Sequence, residues 1–309
     1  MKPYYRTLSS VCAVLAVGCV LLAGCGRHTA EVDTVAYQQE LDTWRATRLK
    51  NLTGPDGWTT LVGLYWLKPG DNRFGRDADN SMVADYPALP AHVGNFSLHA
   101  GRITFHAAPH AGVTHDGKPV TTLALTSDAA GDPTLLNIGS VSFFAIERVG
   151  HVGIRVKDSA ADARVHFRGL QYFDADPHWR LDARFEPYRP MKKIPIINVL
   201  GMEENMDSPG ALVFEVAGHS YRLDTVLEQG ETDYFIMFAD RSNGSQTYGA
   251  GRFLYVHPPV DGHTVLDFNK AYNPPCAFSR FATCPLPPPQ NRLPIVVNAG
   301  ELRYDGAGH

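Results

Sequence analysis

The chain has 309 residues, with 28 Lys plus Arg against 32 Asp plus Glu, a formal net charge of −4, and 44% hydrophobic and 19% charged residues. That balance excludes a disordered or collagen-like chain and allows one large domain or two smaller ones. A weakly acidic chain with no cluster of Lys and Arg has no electrostatic footprint for phosphate backbones, so no nucleic-acid partner is expected.

Lys2 and Arg6 precede an apolar run from Leu8 to Leu22, followed by Leu22-Ala23-Gly24-Cys25. A basic start, a short apolar core and a small-residue cleavage site predict a secretory signal peptide over 1–24, too short for a comfortable membrane span. Leu-Ala-Gly-Cys resembles the bacterial lipoprotein box, which implies acylation of Cys25. Each buried CH₂ contributes roughly 0.8 kcal/mol, so several acyl chains on one residue would hold the protein at a bilayer. Gly26 stands where Asp would mark inner-membrane retention, so the resemblance implies an outer-membrane lipoprotein facing the periplasm. The membrane is then a partner through the lipid anchor; an uncleaved anchor helix is the alternative.

Residues 25–56 read as a lipidated tether followed by one helix, with Tyr37, Leu41 and Trp44 on a common face. From Gly57 the pattern changes to short strands: WTTLVGLYWL, NFSLHA, RITFHA, PVTTLAL, SVSFFAIER and VGIRVKD, with joints at Ala100-Gly101 and Gly150-His151. The second half continues with RVHFRGLQYF, HWRLDARFEP, ALVFEVAG, HSYRLDTVLE, DYFIMFAD, RFLYVHP and TVLDFN. With 28 Gly and 22 Pro in the chain, strands recurring at short intervals argue against a helical bundle. The expected fold is mainly β: two associated antiparallel β-sandwich-like halves, 57–160 and 161–305, preceded by one N-terminal helix. The proline-rich stretch Asn273 to Asn291 cannot be regular sheet or helix, and it reads either as a functional loop or as a strap over a core edge.

There is no Gly-x-Ser-x-Gly elbow, no His-Glu-x-x-His, no phosphate loop and no dinucleotide fingerprint. His106, His110 and His115 are spaced across turn signals, and the acidic stretch from Asp71 to Asp79 lacks the order of a calcium loop, so neither a metal nor a cofactor is expected. Cys276 and Cys284 are close in sequence, and an oxidising periplasm permits a disulfide between them. Closing so short a loop would contribute about 2.6 kcal/mol.

The chemistry-bearing side chains concentrate between Tyr234 and Glu301. Asp240 follows an apolar strand, and the Asn243-Gly244 turn would return Thr247 and Tyr248 toward it, with Gly249 and Gly251 permitting close backbone approach before Arg252. Asp267, Asn269, Tyr272 and Asn273 stand at the mouth of the proline segment, with Asn291, Arg292 and Glu301 beyond it. This density suits a polar ligand site, and it equally suits a structural network satisfying buried loop backbone. In the first case Arg252 and Arg292 would pair with an anionic group. Asp240, Asp267 and Asn269 would orient hydroxyls or amides, Tyr248 and Tyr272 would pack against the ligand body, and Asn273 and Glu301 belong to the same expected site. The leading expectation is a periplasm-facing lipoprotein binding a small polar or anionic ligand or envelope component in its second half. The alternatives are a hydrolase using Asp240 or Asp267 with Glu301 as general base and acid, and a structural partner in envelope assembly.

WTTLVGLYWLKPGDNRFG, TYGAGRFLYV and LDFNKAYNPPCAFSRFATCPLPPPQNRL resemble a bacterial family known as domain of unknown function 1684, over about Trp44 to Tyr304. The resemblance puts weight on Arg155, Asp158, Trp179, Asp240, Tyr248, Arg252, Asp267, Asn269, Tyr272, Asn273, Cys276, Cys284, Asn291, Arg292 and Glu301, and it implies no particular reaction, substrate or cofactor. More loosely, LKPGDNRFGRDADNSMVAD, HDGKPV and VGIRVKD resemble a forkhead-associated sandwich, with Arg73 or Arg76 near its first phosphothreonine-reading position and no matching Ser and His. That likeness implies an architecture for the first half without the phosphopeptide function.

Overall fold

In the computed structural model, which describes residues 33–306, the chain is mainly β behind one N-terminal helix. The expected signal peptide, the expected lipoprotein box with Cys25 and the expected tether up to residue 32 lie outside the described residues. The helix is Thr34–Thr53; it buries Tyr37 and Leu41 and carries Trp44 and Arg48 half-buried on the same stripe, the i, i+4, i+7, i+11 positions. Pro55 follows it and cannot continue it. Gly57 lets the chain fold back, because a Cβ there would lie 2.1 Å from the carbonyl oxygen of Leu52. No helix among the described residues is long and apolar enough to cross a membrane.

The first half is a sandwich. Its six-stranded sheet runs Leu61–Trp66, His151–Asp158, Val141–Arg148, Leu136–Ile138, Thr114–His115, Lys118–Pro119. Facing it, the five-stranded sheet runs Met82–Val83, Gly70–Gly75, Gly94–His99, Arg102–Ala107, Thr122–Leu125. Every pairing is antiparallel except Gly70–Gly75 with Met82–Val83. Phe74, Phe96 and Phe105 from one sheet meet Phe143 from the other, with ring centroids 5.5 to 6.1 Å from it. The expected hairpin joints at Ala100-Gly101 and Gly150 are tight turns, in which Ala100 and Val149 take φ 48° and 49° ahead of their glycines.

In the second half a four-stranded sheet runs His219–Asp224, Glu203–Val216, Arg180–Ile197, His263–Asp267, and a separate hairpin pairs Tyr234–Phe238 with Arg252–Val256. Leu212, Phe214, Phe238 and Phe268 pack between them. Along Arg180–Ile197, Ala183 is buried while Asp182 and Arg184 are exposed, the alternation of a strand with one covered face. The stretch RVHFRGLQYF departs from the strand expected there. It begins inside the short helix Asp162–Val165, at that helix's last two residues, and continues irregularly, since Phe167 leaves the alternating pattern to stack on Tyr304, with ring centroids 5.0 Å apart.

The proline-rich stretch forms no strand. It makes two single 3₁₀ turns, Pro275–Ala277 and Pro289–Asn291, and turns Cys276, Ala282 and Cys284 inward. Those residues share a core with Leu61 of the first half and with Ile194, Phe235 and Phe253 of the second. The stretch therefore straps the halves together, and its backbone frames the cavity described next.

Candidate functional site

A cavity of about 600 Å³ opens where the helix, the first sandwich, the long hairpin formed by Arg180–Ile197 and Glu203–Val216, and the proline segment meet. Its position follows from strand alternation. On His151–Asp158, Val152, Ile154 and Val156 point into the sandwich core. Arg155 must then point to the opposite face of the sheet, which the second half covers. The guanidinium is consequently buried, with 4% of the residue exposed.

Few groups compensate that buried charge. Arg155 Nη2 donates to Thr283 Oγ1 at 3.3 Å, the guanidinium lies 5.3 Å from the Trp58 ring, and Nε has no hydrogen-bond partner. Among the described residues no carboxylate lies within ion-pair distance of it. Burial pulls the Arg155 pKa down to about 10, and the neighbouring Arg148 charge pulls the same way. Arg148 is itself neutralised by Asp128 through two hydrogen bonds of 2.9 and 2.8 Å.

The helix supplies another wall. Arg48 donates from Nε to Glu301 Oε1 and from Nη2 to the Asn273 carbonyl, both at 2.9 Å, and its guanidinium lies 4.6 Å from the Tyr272 ring. Trp44 and Tyr255 both neighbour Tyr272, at centroid distances of 6.5 and 6.4 Å. The Tyr255 hydroxyl donates to Glu228, whose carboxyl is raised above the usual range by burial. Burial also raises the Tyr272 phenol. At the rim, Val149 takes φ 49°, a left-handed conformation that is strained for a β-branched residue and of a kind that recurs at ligand sites.

Of the residues expected to hold a ligand, Tyr272 alone lines this cavity. Of the others, Asp240, Arg252, Asp267, Asn269, Asn273 and Glu301 are hydrogen-bonded in separate buried networks. Arg252 Nη2 donates to Asp240 Oδ2 at 2.7 Å and to the Val297 carbonyl at 3.0 Å, and Nη1 donates to the Ala299 carbonyl. Asn243 donates to Thr247 Oγ1 and to the Tyr248 carbonyl, each at 2.9 Å, so the Asn243-Gly244 turn does bring them back toward Asp240. Gly251 is the close approach, where a Cβ would lie 2.7 Å from the Phe238 carbonyl, whereas Gly249 has no such neighbour. Tyr248 packs against the core around Cys276, and burial pushes its phenol up to about 12.

Asp267 accepts from the Tyr37 hydroxyl at 2.9 Å and from the Asn269 amide, and burial raises its carboxyl above the ordinary range. Asn269 bridges onward to the Asp176 backbone. Glu301 accepts from Arg48 and from the Asn273 N–H, and the Asn273 side chain donates to the Leu302 carbonyl at 2.7 Å. Asn291 ties Asp224 to Met237 through backbone contacts of 2.7 to 2.9 Å. Arg292 is exposed on the surface. The physical reason for this dispersal is that irregular backbone around the proline segment needs buried hydrogen-bond partners, and these side chains supply them. None of Asp240, Asp267 and Glu301 lines the cavity, so they are not placed as an acid–base pair around it.

Cys276 and Cys284 are both buried and both free, not joined as expected; the Cys276 N–H donates to Cys284 Sγ at 3.0 Å. Burial pushes the Cys284 thiol up. His106 and His115 are engaged separately, with Thr122 and the Leu135 carbonyl. Among the described residues, the one group with metal-ligand spacing is Asp77, Asp79 and His92, fully on the surface.

A family model described as "Protein of unknown function (DUF1684)" matches residues 165–302. An uncharacterised protein of Haloarcula marismortui, solved by NMR in solution, is 32% identical over 45% of this chain and 78% of its own, with a TM-score of 0.38. The chain belongs to the DUF1684 family. No curated protein matches it. The DUF1684 segment contains the long hairpin and the proline strap that bound the cavity, whereas Trp44, Arg48, Trp58 and Arg155 lie N-terminal to it. The stripe begun by Tyr37, Leu41 and Trp44 reaches Arg48 one turn later, the sequence signal for that residue. The family resemblance puts weight on Arg155, while its own strand shows only a basic residue among apolar ones.

Proposed function

We propose that this protein binds a small anionic ligand with an apolar body, held in the cavity between the two halves. The observation that carries the reading is Arg155: a guanidinium with 4% exposure, an unpartnered Nε and no carboxylate within reach. Burying an uncompensated charge costs several kcal/mol, so such a residue is retained where an anion completes it. A carboxylate or phosphate oxygen on Arg155 would be a charge-assisted bond in a place where water competes poorly. Trp58, Trp44 and Tyr272 supply apolar faces around it, and a volume of about 600 Å³ matches a small organic molecule.

The experiment is a titration of the full chain with benzoate and with inorganic phosphate, followed by the fluorescence of Trp44 and Trp58 and by melting temperature. A ligand at a hundred times its dissociation constant stabilises the fold by about 2.7 kcal/mol. The reading requires saturable binding that Arg155→Met removes; binding unaffected by that substitution would sink it. We further propose that Cys25 anchors the protein in the envelope through acyl chains. Fractionation of cells expressing Cys25→Ala tests this, and a variant that stayed with the outer membrane would refute it.

A further inference from the structure

We infer that the anion at Arg155 is the head of an amphiphile whose alkyl tail leaves the cavity over the turn between Ile197 and Met202. This rests on the reading of Arg155 as the anion anchor and adds the class of the ligand's remaining part.

The strands Arg180–Ile197 and Glu203–Val216 meet at this turn, where polar residues are the rule. Here the sequence is Ile-Asn-Val-Leu-Gly-Met, and Ile197, Val199 and Leu200 are 47%, 40% and 46% exposed. The turn is not a loose end that happens to be apolar. Asn198 Oδ1 accepts from the N–H groups of Leu200 and Met202 at 2.9 and 3.1 Å. The Val199 N–H donates to the Cys284 carbonyl at 3.0 Å, and the Leu286 N–H donates to the Ile197 carbonyl at 2.8 Å. Asn198 from within and the proline strap from beside therefore hold the backbone in place. Val199 and Leu200 are presented to solvent between Asn198 and Met202, two residues that line the cavity.

Apolar side chains thus pass from the cavity wall, at Ile196, Met202 and Met206, onto the exposed turn. Methionine thioethers are unbranched and adapt to an alkyl chain's shape. Charge gives the direction. Glu204 lies on the same hairpin, paired with Ile196, and Glu228 also lines the cavity. The Glu204 carboxylate there opposes a second anionic group, and the other cavity-lining guanidiniums, Arg48 and Arg148, are already paired with Glu301 and Asp128, so the negative head belongs at Arg155 and a neutral tail belongs over the hairpin. A tail on this path would cover apolar surface that otherwise stays wet.

The test is calorimetric titration of the full chain with butanoate, octanoate and dodecanoate below micelle formation, with dodecylammonium as the same tail on a head of opposite charge. Each methylene buried along the path should tighten binding about fourfold, so octanoate should bind on the order of a hundredfold tighter than butanoate. Dodecylammonium should bind at least about tenfold more weakly than dodecanoate. The double variant Val199→Ser, Leu200→Ser should flatten the gain with chain length while leaving butanoate affinity unchanged. If butanoate binds through Arg155 and the longer acids bind no tighter, the tail inference falls and the anion site stands. A gain with length that survives the double variant overturns the exit route. If none of the three carboxylates binds, the anion reading itself falls, and the tail with it.

Discussion

Arg252 Nη2 and Asp240 Oδ2 lie 2.7 Å apart with both side chains at 0% exposure, linking the two sides of the hairpin Tyr234–Phe238/Arg252–Val256 to the C-terminal segment. Arg252 also binds the carbonyls of Val297 and Ala299, so it fixes the backbone that leads to Glu301. Removing one member of such a pair leaves the other charged and buried. Arg252→Met should therefore cost about 3 to 5 kcal/mol in urea unfolding. The double variant Arg252→Met, Asp240→Asn should lose less than the sum of the single losses, with a coupling of about 0.5 to 3 kcal/mol. Strict additivity would show that the pair does not act as a unit.

That pair shows what was and was not legible in the sequence. The hairpin, the turn at Asn243-Gly244 and the inward-facing apolar residues follow from local pattern, because strand alternation and turn chemistry act over a few residues. The partners of Arg252 do not, since the carbonyls it binds lie some 45 residues away across the proline strap. A density of Asp, Asn and Arg looks the same whether it faces a ligand or closes on itself, and most of this one closes on itself. The cavity was less legible still. The strand around Arg155 can be read from its apolar alternation, but the covering of its outer face by another half of the chain is a tertiary fact. Helix periodicity did reach the site, through the stripe that Tyr37, Leu41 and Trp44 share with Arg48.

Asp267 carries a pH signature. Burial raises its carboxyl above the ordinary 3.8, despite the hydrogen bonds from Tyr37 and Asn269 that favour the charged form. A folded-state value above the unfolded one means that the fold prefers the protonated acid. Its stabilising contribution is complete below 3.8 and is lost as the pH rises through the raised value. Asp267→Asn keeps a neutral amide there at every pH, so it should remove this slope and be neutral or stabilising near about pH 7. Urea unfolding of both proteins at about pH 4 and about pH 7 measures it. A variant that loses stability only at the higher pH would show that the ionised carboxylate is the stabilising form.

Cys276 and Cys284 are 8% and 5% exposed and carry separate thiols. The unreduced native chain should resist a maleimide at both positions and take two labels on the peptide spanning them once unfolded, as peptide mass spectrometry can show. Labelling of neither cysteine after unfolding, with both labelled after reduction, would establish the disulfide instead. Cys284 lines the cavity, so benzoate at saturation should slow its labelling in the native chain further.

Arg155 separates binding from stability in the opposite direction to Arg252. Its pKa falls from the ordinary 12.5 to about 10, which corresponds to roughly 3 kcal/mol against the charged form in the fold. Because a base with a lowered folded-state value is penalised while protonated, that cost is present at neutral pH and disappears only as the pH climbs through the interval between the two values. Arg155→Met removes the charge while filling much of the same space beside Trp58. The variant should be as stable as the parent or more stable, by about 1 to 4 kcal/mol, and should no longer respond to benzoate. Urea unfolding with and without benzoate reads both effects at once. A variant that unfolds more readily than the parent in the absence of any anion would mean that Arg155 is a structural cation already satisfied by the fold.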